Sequence, residues 1–198
     1  VDDPDILATT KDLLKKVADH LIANDLTFVD WDGRTTEHGL LYATSFTDPP
    51  GFNAAVSLLY MRLAYEATGD DSYMTWRDEC LLKTQGPKAC LPWPLEKAEV
   101  NYFDLLKQML LYVGADGCGS NWNNLSMMFC AVPILAWYEA GTELGDEVQR
   151  VFDTELMRKQ HCIAGIGQHN AWWDMLWAAH KAHGPTSDGP ATEAVEDA

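Results

Sequence analysis

Hydrophobic and polar positions along this chain follow a helical period in most segments. Apolar residues recur at three- and four-residue intervals over 6–22, and Pro4 stands where a first helical turn admits proline. Three further segments, 53–69, 124–141 and 170–184, are apolar on nearly every face. Segments of that kind are typical of helices buried on most sides. The pattern predicts an all-α fold.

The three apolar segments share their terminal residues. Each begins with asparagine and ends with glycine, as the pairs Asn53 and Gly69, Asn124 and Gly141, and Asn170 and Gly184. Asparagine is a preferred helix N-cap, and glycine is favoured just past a helix end because it adopts the left-handed conformation. The first two segments also share a Tyr-Glu-Ala sequence near their ends. This repetition predicts stacked helical hairpins whose inner helices begin with asparagine.

The segments between the repeats predict further helices and one long connection. Helices are expected to begin near residues 71–72, to run over about 97–112, and to form an amphipathic segment over 143–158. Residues 25–51 are polar and aromatic, and no strand is predicted there. Because a connection this long is uncommon in a compact domain, we expect a functional loop.

Length and charge limit the classes of function. The chain has 198 residues, enough for one helical domain over 1–198 with a tail at 185–198. Its net charge of −16 leaves no basic stripe, which argues against nucleic acid and anionic membrane surfaces as partners. The longest apolar run, 125–138, is too short for a membrane span and contains Pro133, which is expected to kink its helix. The sequence does not indicate an oligomeric state.

The number and spacing of the five cysteines give an indication of the cellular compartment. Cys80 and Cys90 flank a loop with a Gly-Pro pair, a span that a disulfide could close. Cys118, Cys130 and Cys162 have no obvious partners in the sequence. We expect a secreted or periplasmic, disulfide-bearing protein, and buried free thiols are the alternative.

Four motifs together carry a resemblance to a known superfamily. They are DWDGRTTEHG at 30–39, PGFNAAVSLLYMRLAYEATGDDSY at 50–73, SNWNNLSMMFCAVPILAWYEAG at 120–141 and HNAWWDMLWAAH at 169–180. This order resembles the (α/α) toroid proteins of the polysaccharide lyases and unsaturated glucuronyl hydrolases, and most closely a secreted bacterial branch of them. The resemblance spans about residues 28–180.

The resemblance implies an (α/α) toroid with a ligand cavity where the inner helices begin. A complete ring needs more helices than this chain contains, so the expectation is an incomplete toroid or a fragment of a larger one. Free amides and positive dipole ends would gather at that end of the ring. The expected substrate-binding residues are Arg34, Asn53, Asn121, Trp122, Asn124, Asn170, Trp172 and Trp173. Helix capping for the asparagines and core packing for the tryptophans are the alternatives.

Four residues are candidates for catalysis: Asp174, Asp32, His38 and His169. Asp174 lies one helical turn after Asn170 among aromatic residues, and a histidine in a loop can act as a general base because its pKa lies near neutrality. Two carboxylates about 5–10 Å apart would allow glycoside hydrolysis. For Asp174 the alternative is a favourable interaction with its helix N-terminus. Since neither HExxH nor paired CxxC occurs, we predict no metal and no cofactor.

These observations predict a glycan-active protein. It would bind or cleave a poly- or oligosaccharide and, if it is an enzyme, would be a glycoside hydrolase or a polysaccharide lyase. The alternative is a non-catalytic module on a toroid scaffold that binds glycans or other proteins.

Overall fold

The computed structural model describes residues 3–41, 50–83, 101–107, 122–157 and 171–183. Within these ranges the chain is mostly helical, as the sequence predicts. The chain divides into two compact units, Val1–Leu105 and Leu106–Ala198. Each unit is described by itself below.

The first unit begins with helix α1, Pro4–Ala23. Asp3 caps it, since its side chain accepts hydrogen bonds from the amides of Asp5 and Ile6. At the other end, the backbone and side-chain amides of Asn24 both donate to the carbonyl of His20. Side chains that directly flank α1 therefore form hydrogen bonds with backbone groups at both of its ends.

An antiparallel hairpin follows α1, with strand β1 at Thr27–Val29 and strand β2 at Thr35–Leu40. The prediction that the chain has no strand is therefore wrong. Threonine and valine at these positions suit a pleated strand, and Gly33 adopts a φ of +81° in the turn between them. The segment expected to be a long functional loop is in this part a short ordered hairpin.

Helix α2, Pro50–Thr68, packs against α1. It begins three residues before Asn53, so the prediction that Asn53 opens this helix is wrong. Proline is pre-set for a helix start because its φ is fixed and its missing amide hydrogen is not needed there. The end of the helix follows the prediction, since Gly69 has a left-handed φ of +71°.

Helix α3, Ser72–Trp76, continues directly into a π-helical turn, Arg77–Leu81. Its start agrees with the prediction. Cys80 is buried on the π-helical turn, and Cys90 lies outside the described residues, so their pairing stays a prediction. Helix α4, Tyr102–Lys107, begins after Asn101, whose side-chain oxygen accepts from the amide of Asp104.

The second unit contains helix α5 (Trp122–Tyr138), helix α6 (Glu143–Arg150), a π-helical segment (Val151–Leu156) and helix α7 (Ala171–His183). Thr142 caps α6 by accepting from the amide of Gly145. Gly141 has a φ of +81°, in agreement with the expected glycine helix end, and Gly184 lies outside the described residues.

The core of the second unit is aromatic. Phe129 on α5 stacks on Trp173 of α7 with ring centroids 4.9 Å apart, and meets Phe152 edge to face at 5.9 Å. Offset stacking and edge-to-face contact are the preferred arrangements of aromatic pairs. These three rings fix α5, the π-helical segment and α7 to one another.

Among the described residues, no helix is long and apolar enough to cross a membrane.

Candidate functional site

An open groove of about 290 Å³ lies on the second unit between α5 and α7. Its described lining consists of Pro133, Ile134, Trp137 and Tyr138 on α5 and His180 on α7. The helical spacing of the four α5 residues places them on one face. Trp137 is 47% exposed, so part of its indole ring is open to solvent. The groove therefore combines the accessible indole of Trp137 with the polar side chains of Tyr138 and His180.

His180 is held in place by a hydrogen-bond network. Its Nε2 lies 2.8 Å from Oε1 of Gln149, and the Nε2 of Gln149 donates to Asp153 over 2.9 Å. The ring also meets Phe152 edge to face at 5.3 Å. Only 8% of His180 is exposed, and this burial lowers its pKa below the ordinary value of 6.5.

Asp153 is the centre of this network. Its Oδ1 accepts from Nε1 of Trp177 at 2.7 Å as well as from Gln149, and its Oδ2 pairs with Nζ of Lys181 at 3.0 Å. Three donors therefore occupy one carboxylate. These partners compensate the charge of Asp153. Asp153 does not belong to the described lining of the groove, but it orients Gln149, which contacts His180 there.

The described lining of the groove is uncharged, although the chain is strongly acidic. Its described lining contains no carboxylate and no lysine or arginine, and the lowered pKa of His180 favours a neutral ring at neutral pH. A chain of net charge −16 repels anionic ligands. The groove is thus suited to a neutral ligand with an apolar face.

The predicted residues Asp32 and Arg34 lie in the hairpin of the first unit and pair with each other. Nε of Arg34 donates to Oδ2 of Asp32 at 2.7 Å, and this contact lowers the pKa of the Asp32 carboxyl. A lowered pKa is the opposite of what a general acid needs. Arg34 and Asp32 therefore form a local ion pair within the hairpin.

Asn53 is likewise used inside the first unit. Its Nδ2 donates to the carbonyl of Leu40 over 3.1 Å, and its side chain is buried. This hydrogen bond joins helix α2 to strand β2, and a contact of Asn53 with substrate stays a prediction.

The predicted residues on α7 divide into buried and exposed ones. Asp174 is only 1% exposed and lies in the first helical turn, where a carboxylate interacts favourably with the helix dipole. Trp173 is 8% exposed and stacks on Phe129 in the core, an arrangement that matches the core-packing alternative. Trp172 is exposed, but it does not belong to the described groove lining.

For three of the remaining predicted residues the structure describes the backbone only. The backbone of His38 lies in β2, and those of Trp122 and Asn124 lie in α5, where Asn124 follows the helix start by two residues. Their side chains, and all of Asn121, His169 and Asn170, lie outside the described residues. Helix α7 does begin at Ala171, directly after Asn170.

Within the described ranges, no group of three or more histidine, cysteine, aspartate or glutamate side chains could hold a metal ion. The prediction of no metal and no cofactor stays a prediction for the whole chain.

Sequence reasoning missed the groove and its network. Gln149 and Asp153, like Trp177 and Lys181, stand four residues apart, a spacing that places side chains together on a helix. That signal could have drawn attention to each pair separately. It could not show that both pairs meet at one carboxylate.

Comparison of the chain with protein-family models, with curated proteins and with solved structures finds no match. The functional interpretation therefore rests on the residues of this chain.

Proposed function

We propose that the second unit is a non-catalytic binding module that holds a ring of a neutral oligosaccharide over Trp137. The observation that carries this proposal is the exposed indole of Trp137 beside Tyr138 in an open groove whose described lining is uncharged. Aromatic rings offer a flat apolar surface to the C–H face of a sugar, and a polar group at the edge supplies orientation. His180 is such a polar group.

Binding is favoured over cleavage because of the position of the carboxylates. Hydrolysis of a glycosidic bond needs two carboxyl groups flanking the bond, and the described groove lining has none. Asp174 is buried, and Asp153 is occupied by three donors. The toroid scaffold, the secreted or periplasmic location and the Cys80–Cys90 disulfide belong to this proposal as expectations from the sequence.

The test is calorimetric titration with cello-, xylo- and laminari-oligosaccharides. We expect at least one to bind, and Trp137→Ala to weaken binding by at least about tenfold, because a central aromatic contact contributes about 2 kcal/mol. Trp31→Ala is the matched control, since Trp31 is 98% exposed in the hairpin of the first unit and should leave affinity unchanged.

Two outcomes would contradict the proposal. Loss of binding in Trp31→Ala but not in Trp137→Ala would move the site to the hairpin. Formation of new reducing ends, stopped by Asp174→Asn, would restore the glycoside hydrolase or lyase hypothesis.

A protein-interaction module is the second candidate, and one observation favours it. The exposed apolar residues of α5 are spaced by three, four and three positions, as Met127, Cys130, Ile134 and Trp137. This spacing is the seam with which one helix packs on another. If no oligosaccharide binds, and Trp137→Ala converts an oligomer into a monomer in sedimentation velocity, the interaction function replaces the glycan-binding one.

A further inference from the structure

We propose that Nδ1 of His180 is the hydrogen-bond acceptor that selects a ligand hydroxyl group in the groove, and that Asp153 and Gln149 are the positioning residues that make it an acceptor. This inference rests on the proposed binding function and deepens it. It assigns the ligand class as neutral and hydroxyl-bearing, and disfavours uronates.

The first step is the orientation of the Gln149 amide. Its nitrogen lies 2.9 Å from Oδ1 of Asp153, and an ionised carboxylate can only accept hydrogen bonds. The NH₂ group of Gln149 must therefore face Asp153. Its carbonyl oxygen then faces Nε2 of His180, at 2.8 Å.

The second step is the tautomer of His180. A carbonyl oxygen cannot donate, so Nε2 of His180 must carry the hydrogen in this contact. In a neutral imidazole the other nitrogen, Nδ1, then holds a lone pair. No described residue forms a hydrogen bond with Nδ1, and the ring lines the groove. Nδ1 is thus the ring nitrogen left for a ligand.

The third step is the charge around the ring. Among the described residues, Asp153 from the π-helical segment raises the pKa of His180, and Lys181 from its own helix lowers it. They are paired with each other at 3.0 Å, and burial has the largest effect and lowers the pKa. From α5, the titratable side chain at the groove is that of Tyr138. The ring is consequently neutral near pH 7.

These steps determine the ligand chemistry. A hydroxyl group can donate to the Nδ1 lone pair, whereas a carboxylate would bring acceptor oxygens against an acceptor nitrogen. The negative charge of the chain acts in the same direction. A neutral sugar ring stacked on Trp137, with one hydroxyl directed at His180, satisfies both surfaces of the groove.

The experiment combines two variants with NMR of the intact chain. His180→Gln keeps an amide that reaches Gln149 but has nothing at the δ position, while His180→Asn places an amide oxygen near the δ position. Using the cello-, xylo- or laminari-oligosaccharide that binds, we expect affinity to fall about tenfold in His180→Gln and by less in His180→Asn. Oligogalacturonate should bind more weakly than the neutral oligomers to the wild type.

The NMR measurement reads the tautomer directly and does not depend on a ligand. Long-range ¹H–¹⁵N spectra of the wild type should show hydrogen on Nε2 of His180, and the Nδ1 resonance should shift when the neutral oligosaccharide is added. Gln149→Met, which removes both amide contacts, should yield a mixture of tautomers and a lower affinity. A merely structural role of Gln149 would leave the tautomer unchanged.

Three outcomes overturn the inference in distinguishable ways. Hydrogen on Nδ1 in the wild type overturns the tautomer assignment. Binding that depends on Trp137 but is unchanged in His180→Gln overturns the role of His180 while the proposed function stands. Absence of binding to every oligosaccharide, with hydrogen found on Nε2, overturns the proposed function and with it the ligand assignment.

Discussion

Each unit has a carboxylate that ties helices together, but the two networks end differently. In the first unit Asp19 on α1 accepts from the hydroxyl of Tyr73 and from Lys15, both at 2.5 Å. In the second unit Asp153 accepts from Gln149, Trp177 and Lys181, and the chain of contacts continues through Gln149 to His180 at the groove. The first network lies at the surface, where the side chains of Lys15 and Asp19 are 50% and 47% exposed, and the second continues to a groove.

The difference separates two uses of a buried or half-buried carboxylate. When the members of a network bond only to one another and to solvent, as around Asp19, the network contributes to the stability of the helix contact. When one member keeps an unused acceptor next to a groove, the same hydrogen bonds fix the orientation of a group that can meet a ligand. The second unit is therefore the better place to look for function.

The largest expected effect comes from a glycine in the first turn of α6. A Cβ at Gly145 would lie 2.0 Å from the carbonyl oxygen of Glu139, and that oxygen is already bonded to the amide and hydroxyl of Thr142. We expect Gly145→Ala to lower the free energy of unfolding by about 3 kcal/mol, measured by urea denaturation.

Gly69 provides the comparison in the first unit. Its added Cβ would contact nothing within 4 Å, so Gly69→Ala should cost only the strain of a left-handed φ, about 1 kcal/mol. If Gly145→Ala were the milder of the two, the close approach of the backbone at the start of α6 would be wrong.

The next effect compares single donors to the two carboxylates. Trp177→Phe removes the indole N–H from Asp153 and Tyr73→Phe removes the hydroxyl from Asp19. We expect losses of about 2 kcal/mol and about 1 kcal/mol respectively, because a hydrogen bond to a charged group is worth less where solvent reaches the carboxylate. The side chain of Asp19 is 47% exposed and that of Asp153 is 26% exposed.

Calorimetric melting of both variants tests this order. Equal losses in the two variants would mean that solvent exposure does not distinguish the networks. In addition, Trp177→Phe should change oligosaccharide affinity through His180, whereas Tyr73→Phe should not.

The smallest effect is in the pH dependence of stability. Burial lowers the pKa of His180 in the folded state below 6.5, so its contribution is complete above pH 6.5 and is lost as the pH falls below that value. The pKa of Asp19 is lowered below 3.8, first by Lys15 and then by Tyr73, so its contribution is complete above pH 3.8 and is lost below it.

Unfolding free energies measured across this range separate the two residues. Between pH 6.5 and 3.8, His180→Gln should remove part of the slope of the wild type, and Asp19→Asn should leave that slope unchanged. If the pH dependence of the unfolding free energy in this range changed in Asp19→Asn but not in His180→Gln, it would arise from Asp19 and not from His180.

Much of the helical fold could be read from local signals. Gly69 and Gly141 mark helix ends as expected, and the start of α3 agrees with the prediction. The failures have local causes too. The strands of the hairpin are short and lie in a polar, aromatic segment, so their pattern does not predict them. Pro50 starts α2 because its fixed φ suits a first helical turn, and this leaves Asn53 inside the helix.

The sequence by itself determined the helical class, several helix ends and the uncharged character of α5, because these depend on residues that are neighbours along the chain. Only the tertiary structure decided which polar residues share a site. Asp174 and Trp173 fit a site as well as Trp137 and His180 do when only spacing is known. Packing of α5 and α7 buried Asp174 and Trp173, whereas His180, although as buried as Trp173, borders a groove beside the half-exposed Trp137. The physical reason is that burial and hydrogen-bond partners are set by contacts between distant segments.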